Sequence, residues 1–348
     1  MAALTQFAVM YRERETLPLR TRLFFTFGAV AALHAAAVVL LLAGTSFAGT
    51  TGHPLALGLI LTAYLTGVKH SYDWDHVAAI DNSTRRFVAQ HKNPVSVGFA
   101  FSLGHSSVVV LAGVLVVSGA SLVGQLMEGG TTGNLVLGLI GSAVSGLFLL
   151  FMGIVNGAAF LSAAQSYRKM ARGGDVGEQD LEARGFMARL LAKPLAKVER
   201  PRNIYVIGFL FGLGFDTATT VGLLVMTTAA TVAGVSPIAL MAIPLAFTAA
   251  MTLCDSVNGV AMMRLYKSAI GNPQRRLGFN TVITGLSALS ALFVSVITLG
   301  GFVNGALGVD GAAGWLAGID LGNAGLALVA TFAAVWILAV LLGRRHAK

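Results

Sequence analysis

Long apolar segments alternate with short polar ones along the whole chain. Each apolar segment holds about 20 or more mostly hydrophobic residues, the length of helix that crosses the hydrocarbon core of a bilayer. The pattern predicts eight membrane spans, at residues 22–46, 55–80, 95–118, 134–164, 204–233, 236–262, 278–304 and 322–343. The first apolar run is longer than that of a secretory signal peptide, so we expect it to be retained as a span.

Composition agrees with a membrane protein. Of the 348 residues, 55% are hydrophobic and 11% are charged, whereas soluble domains carry about 25% charged residues. Glycine is frequent, with 42 residues against 8 prolines, as in closely packed membrane helices. We therefore predict an all-α, polytopic membrane protein. The single cysteine, Cys254, excludes an intramolecular disulfide and a cysteine-based zinc site.

The basic residues are distributed unevenly between the two sides of the predicted membrane. The net charge is +9, and every Lys and Arg except Lys69 lies in the terminal segments or in the loops after spans two, four and six. The only charged residues in the opposite loops are Glu128, Asp310 and Asp320. By the positive-inside rule, both termini are predicted to be cytoplasmic. Because topology explains the positive charge, no nucleic-acid partner is expected.

The longest predicted loop covers residues 165–203, between spans four and five. It mixes basic and acidic residues, and we expect a solvated cytoplasmic connector with a short amphipathic helix near residues 178–199. No phosphate-binding glycine loop occurs in it. We therefore expect no ATPase in this chain.

The second predicted span contains four ionisable residues within seven positions, His70, Asp73, Asp75 and His76. A carboxylate at bilayer depth costs about 2.5–3.5 kcal/mol, so such groups are usually functional. Imidazole nitrogen with carboxylate oxygen, and without thiolate, suits Ni, Co, Zn, Mn or Fe(II). We predict a transition-metal site here, in preference to a hydrogen-bond network that only fixes packing.

Helical geometry divides these four residues. At about 100° per residue, a straight helix places His70, Asp73 and His76 on one face and Asp75 on the far side. Two interpretations of Asp75 stay open. Either it orients an imidazole from outside the metal's ligand shell, or the helix unwinds near Trp74 and Asp75, as helices do at the binding sites of many transporters.

Other spans supply further polar candidates. His105, within span three, is predicted to join the metal ligands. Residues predicted to support the site or line the ion's path are Lys69, Asn82, Asp216, Thr220, Asp255 and Asn258. Asp216 or Asp255 could instead pair with Lys69 or with a hydroxyl group. Lys69 either occupies the site electrostatically when no metal is bound or faces a neighbouring helix.

The spacing of these polar positions indicates a possible internal repeat. His70 and Asp216 are 146 residues apart, and His105 and Asp255 are 150 residues apart. Span two would run inward and span five outward. We therefore predict an inverted-topology repeat that relates spans two and three to spans five and six.

Several of these residues fall in short motifs that occur together in one known family. His70, Asp75 and His76 form the pattern H-x4-D-H. It is followed by A-I-D-N-x-T-R at Ala79–Arg85, L-G-H-S-S-V-V at Leu103–Val109, L-G-F-D-T-A-T-T at Leu213–Thr220 and M-T-L-C-D-S-V-N-G at Met251–Gly259. In this order, and with eight spans, the motifs resemble those of the nickel/cobalt transporter (NiCoT) family.

The resemblance implies a single membrane transporter domain over residues 1–348. It implies a secondary importer of Ni2+ or Co2+ in a bacterial cytoplasmic membrane, with no cofactor and no ATPase subunit. It also implies that His70, Asp75 and His76 are essential for transport. Two positions depart from the family's pattern, because Thr220 replaces the usual Glu and Asn258 replaces a usual Asp. The site thus has fewer carboxylates, which favours Ni2+ over the harder Mn2+ or Mg2+.

Three other functions compete with import. A metal exporter of related architecture often carries a His-rich cytoplasmic loop, whereas residues 165–203 contain no His. An intramembrane metalloenzyme would be expected to carry H-E-x-x-H, which is absent from the sequence. A membrane metal-binding or sensor protein without transport is the third alternative.

Overall fold

The computed structural model describes residues 17–46, 53–90, 92–118, 131–173, 202–213, 227, 235–267, 273–309, 311–319 and 324–345. Within these ranges every regular element is a helix. The helices are α1 (Leu19–Ser46), α2 (His53–Ser71), α3 (Trp74–Ala89), α4 (Val97–Val117), α5 (Thr132–Ala171), α6 (Arg202–Gly212), α7 (Pro237–Lys267), α8 (Pro273–Leu307), α9 (Ala312–Ala317) and α10 (Ala324–Arg345).

The all-α, multi-pass membrane architecture is confirmed. Five of the described helices, α1, α4, α5, α7 and α8, are long and apolar enough to cross a membrane. They coincide with the predicted spans one, three, four, six and seven, and α10 coincides with span eight. Of span five, the described part is α6 and the residues next to it, so the inverted repeat stays a prediction. The proposed helix near residues 178–199 lies outside the described residues.

The second predicted span, residues 55–80, is divided between two helices, α2 and α3, as one of the two interpretations left open by the sequence requires. Helix α2 ends at Ser71, and the backbone N–H groups of Tyr72 and Asp73 donate to carbonyls three residues back, each at 3.0 Å. Asp73 then adopts an extended conformation (φ −64°, ψ 142°) as the residue that precedes α3. Aspartate is a poor helix former, which favours a break at this position. Its carboxylate makes no cap bond to α3 and bonds His70 instead.

Helix α3 also extends further than predicted. It ends at Ala89, so the basic residues Arg85 and Arg86, expected in a loop, belong to its last turns. Helix α5 likewise continues to Ala171, into the segment predicted to be the cytoplasmic connector. Apolar windows locate the membrane core but not the end of a helix that carries polar residues beyond it.

The helices pack in two groups. In the first, α7 contacts α1, α2 and α4, and α6 packs along α4; in the second, α5 packs along α8. Glycines allow close approach in the first group, since a side chain at Gly98 of α4 would collide with the backbone carbonyl of Asp255 in α7. Among the described residues, α3 contacts both groups.

Candidate metal centre

The break between α2 and α3 brings two histidines together. His70 lies in the last turn of α2 and His76 in the first turn of α3. Their ring centroids are 4.6 Å apart, and neither side chain is exposed. The two histidines therefore lie close together, as predicted, but on either side of a helix break and not on one face of a straight helix.

A third histidine reaches the same point from α4. The ring of His105 lies 4.9 Å from that of His70 and 4.7 Å from that of His76, centroid to centroid. One ligand nitrogen from each ring lies within 4.8 Å of the others, and all three residues are buried. Imidazole suits nickel, cobalt, copper, iron and zinc, so three converging rings can bind a divalent transition metal.

Asp73 fixes the orientation of His70. The Nδ1 of His70 lies 2.7 Å from Oδ2 of Asp73. Because a carboxylate accepts, we assign the proton to Nδ1, which leaves Nε2 of His70 with its lone pair. That Nε2 lies 3.0 Å from Nε2 of His105, which donates to it in this arrangement. Metal-binding histidines are commonly held by a carboxylate in this manner.

Asp255 has the same role for His76. Its Oδ2 lies 3.2 Å from Nδ1 of His76, and both residues are completely buried. Among the described residues, Nε2 of His76 and Oδ1 of Asp255 have no hydrogen-bond partner. Buried polar atoms are usually paired, so orphaned ones beside three imidazoles indicate a site that receives a ligand.

Asp75 lies outside the group of three imidazoles. Its Oδ1 accepts a hydrogen bond of 2.9 Å from the backbone N–H of His76, in the first turn of α3. The helix breaks at Tyr72 and Asp73, just before the position at which the sequence allowed unwinding. Asp75 thus lies beside the group of three imidazoles and contacts the backbone of His76.

The other predicted residues are divided between the site and its surroundings. Asn258 is buried one turn beyond Asp255 in α7, whereas Asn82 lies in a separate polar cluster described below. Lys69 is exposed, which favours the interpretation that it faces away from the metal centre. Asp216 and Thr220 lie outside the described residues.

Two phenylalanines close the site, and neither was predicted from the sequence. The ring of Phe101 meets that of His76 edge-on, with centroids 4.9 Å apart, and the ring of Phe247 lies 5.5 Å from that of His70. Both phenylalanines are completely buried. The sequence could have indicated both. Phe101 lies four residues before His105 and Phe247 lies eight residues before Asp255, and residues at these spacings share a helix face.

Comparisons with known proteins agree on one family. The family model described as "High-affinity nickel-transport protein" matches residues 56–342. The nickel transporter NicT of Mycobacterium tuberculosis is 37% identical over 92% of this chain and 88% of its own length. The nickel transporter NixA of Staphylococcus aureus is 36% identical over 88% of this chain and 92% of its own length.

A cobalt transport protein is among the relatives as well. NhlF of Rhodococcus rhodochrous is 36% identical over 80% of this chain and 79% of its own length. No solved structure matches the chain. The family match and the relatives together show that this chain is a member of the high-affinity nickel-transport protein family.

Proposed function

We propose that this chain is a secondary transporter that imports Ni2+, and Co2+ as a related ion, across a bacterial cytoplasmic membrane. His70, His76 and His105 bind the ion during its passage. The observation that carries the proposal is the group of three buried imidazoles, with nitrogens within 4.8 Å, at a break in a membrane helix. The nickel- and cobalt-transport names of the relatives support the choice of ion.

Selectivity follows from the chemistry of the ligands. Three nitrogen ligands favour Ni2+ and Co2+ over Mg2+, Ca2+ and Mn2+, which prefer oxygen. The site is closed off by the rings of Phe101 and Phe247. The ion therefore loses its hydration water on entry, and the imidazole nitrogens take the place of that water. The ion is cargo, so binding has to be reversible.

The carboxylates reduce the cost of placing a divalent charge in a low-dielectric interior. Asp73 and Asp255 also hold His70 and His76 in the orientation that presents Nε2 to the ion. Asp75 supports the backbone of His76, and as part of the H-x4-D-H motif it is expected to be required for transport. We retain Asp216, Thr220 and Asn258 as candidates for the ion's path, whereas Asn82 bonds Asn156 in a separate cluster and the exposed Lys69 faces away from the site.

Orientation and driving force complete the mechanism. The start of α1 and the ends of α3 and α7 pack together, and they carry Arg22, Arg86 and Lys267, so one face of the bundle is basic. The positive-inside rule makes this face cytoplasmic, with both chain termini on the same side. An inside-negative potential then favours import, by about 2.3 kcal/mol per charge per 100 mV.

Uptake of radioactive nickel by cells that express the protein tests this function. His70→Ala should abolish uptake, because one of three ligands and the partner of His105 are lost. His34→Ala is the matched control, since His34 is another membrane histidine but bonds the carbonyl of Val30 and the hydroxyl of Tyr64. Both variants need equal amounts of protein in the membrane.

The possible outcomes separate the alternatives. Near-normal uptake by His70→Ala would refute the site. Nickel efflux from loaded cells, with no uptake, would indicate an exporter. Nickel binding without flux in proteoliposomes would indicate a sensor or storage protein.

A further inference from the structure

A second buried polar cluster lies on α3, away from the metal centre. We call it the Arg85 cluster. Its members come from four helices: Asp81, Asn82 and Arg85 of α3, Asn156 of α5, Tyr266 of α7, and Thr284 and Ser287 of α8. None of them is a candidate metal ligand in the described structure. Ionisable groups buried within membrane helices are energetically costly, so those that persist usually serve a function.

The first half of the cluster ties α3 to α5 and α8. The guanidinium of Arg85 donates to Oγ1 of Thr284 at 2.9 Å and to Oδ1 of Asn156. The amide of Asn156 in turn donates to Oδ1 of Asn82. Asn82 and Asn156 are almost completely buried. One arginine therefore links both helices of the second packing group to α3.

The second half ties α3 to α7 and α8. Both oxygens of the Asp81 carboxylate accept hydrogen bonds, Oδ1 from the hydroxyl of Tyr266 and Oδ2 from that of Ser287. Attraction to Arg85 adds to these bonds. Asp81 and Ser287 are completely inaccessible. Tyr266 thus connects the helix that carries Asp255 to the helix pair on the other side of α3.

The cluster and the metal centre occupy opposite faces of one short helix. Asp81 and Arg85 follow His76 by five and nine residues, which is about 140° and 180° around the helix axis. Arg85 lies about 13.5 Å further along α3, towards the basic face. Among the described residues, α3 contacts α4, α5, α7, α8 and α10, and α7 contributes both Asp255 to the metal centre and Tyr266 to the cluster.

A buried hydrogen-bond network between helices is compatible with two states, closed and open. With the helices together, the donors and acceptors satisfy one another in a dry interior, which strengthens each bond. With the helices apart, water satisfies the same groups, whereas an apolar contact would resist wetting. A polar junction between two packed groups can therefore open and reclose at modest cost.

We propose that the Arg85 cluster is a latch that closes the basic side of the metal centre, and that it opens once in each transport cycle to release the ion. Asp81, Arg85 and Tyr266 are positioning residues that act on His76 through α3. The hydrogen bonds of the cluster are intact in the structure, which therefore corresponds to the state that is closed on the basic side. The proposal rests on the proposed function, because a latch needs an ion to release.

The chain contains its own reporter of this opening. Cys254 is the single cysteine, it precedes Asp255 in α7, and it is half-buried. Its thiol interacts with Ser71 and Tyr72 at the break between α2 and α3. Its rate of reaction with a membrane-impermeant maleimide therefore reports access, from the chosen side, to the break between α2 and α3, next to His70 and Asp255.

Tyr266→Phe is the test variant, because it removes one hydroxyl from the latch and keeps the ring. Tyr205→Phe is the matched control, since its hydroxyl bonds Ser107 at 2.8 Å and joins α4 to α6 within the first packing group. Arg85→Gln supplies a second, stronger break. Labelling is measured without metal, in inside-out and right-side-out vesicles.

The hydroxyl of Tyr266 bonds both Asp81 and Ser287, and loss of one buried hydrogen bond changes an equilibrium by about fivefold. We therefore expect Tyr266→Phe to accelerate labelling from the basic side by at least about fivefold, Arg85→Gln to do so by more, and Tyr205→Phe to leave it unchanged. Equal rates in Tyr266→Phe and wild type, the same rise in the control, or a rise from both sides would overturn the latch. Nickel uptake by wild type is measured in parallel, so failure of the transport function would be distinguished from failure of the latch.

Discussion

Replacing Asp255 with asparagine tests how the protein holds His76. The substitution keeps the volume and one acceptor oxygen, but it removes the negative charge. Asp255 is completely buried, and its Oδ2 lies 3.2 Å from Nδ1 of His76. Water therefore screens the charge only weakly. We expect weaker nickel binding in a protein that still folds.

The size of the effect follows from two estimates. Loss of a group that orients a metal ligand typically costs about 10–100-fold in affinity. A carboxylate about 7 Å from a divalent ion, across the imidazole ring, interacts with it by about 5 kcal/mol at an effective dielectric of about 20. Part of this is offset, because the unpaired carboxylate is itself costly when no ion is bound. We therefore expect a loss of about 100-fold, or about 2.7 kcal/mol.

Isothermal titration of nickel into purified protein in detergent measures this loss. Ser256→Ala is the control, because Ser256 is the equally buried neighbour of Asp255 and bonds the carbonyl of Thr252 within its own helix. The control should bind nickel within about twofold of wild type, as expected for a change that leaves the ligands in place. An unchanged affinity in Asp255→Asn would refute the role assigned to this carboxylate.

Three further predictions follow. Gly98→Val should lower the free energy of unfolding by about 1–3 kcal/mol, because the side chain would meet the backbone of Asp255. Gly157→Val, at a position with open space, should leave the free energy of unfolding unchanged. A thermal-shift assay compares the two variants, and equal stability would contradict the packing of α4 against α7. Cobalt should compete with nickel uptake, whereas magnesium in large excess should not; competition by magnesium would contradict a nitrogen-rich site. Uptake should fall as the medium is acidified, because protons compete with the metal ion for the imidazole nitrogens; a pH-independent rate would contradict it.

Most of the helical architecture could be predicted from the sequence, because bilayer thickness fixes the length of an apolar span. The break in the second span was one of two interpretations left open, since one helix and two helices share the same apolar pattern. The sequence placed it near Trp74 and Asp75, whereas it lies at Tyr72 and Asp73. The sequence feature that indicated a break was the presence of four ionisable groups within seven residues. Such groups are costly at membrane depth and usually mark a functional site.

The grouping of the candidate ligands could be predicted in part, and their binding of a metal stays a prediction. His70 and His76 were found from their spacing, and His105 from being a histidine at membrane depth. That Asp255 would bond His76, 179 residues earlier in the chain, depends on how α7 packs against α3, which no local pattern reports. Asn156 was missed because it is the one polar residue between Ser145 and Ser162, in the apolar middle of a 40-residue helix.

The most direct test of the central claim is X-ray absorption spectroscopy at the nickel edge, on purified protein loaded with one equivalent of nickel. The outer-shell scattering of imidazole reports how many histidines bind the ion. The account predicts about three imidazole ligands in wild type, as the site of His70, His76 and His105 provides, and one fewer in His105→Ala. A nickel ion bound only by oxygen, or an unchanged imidazole number in His105→Ala, would contradict it.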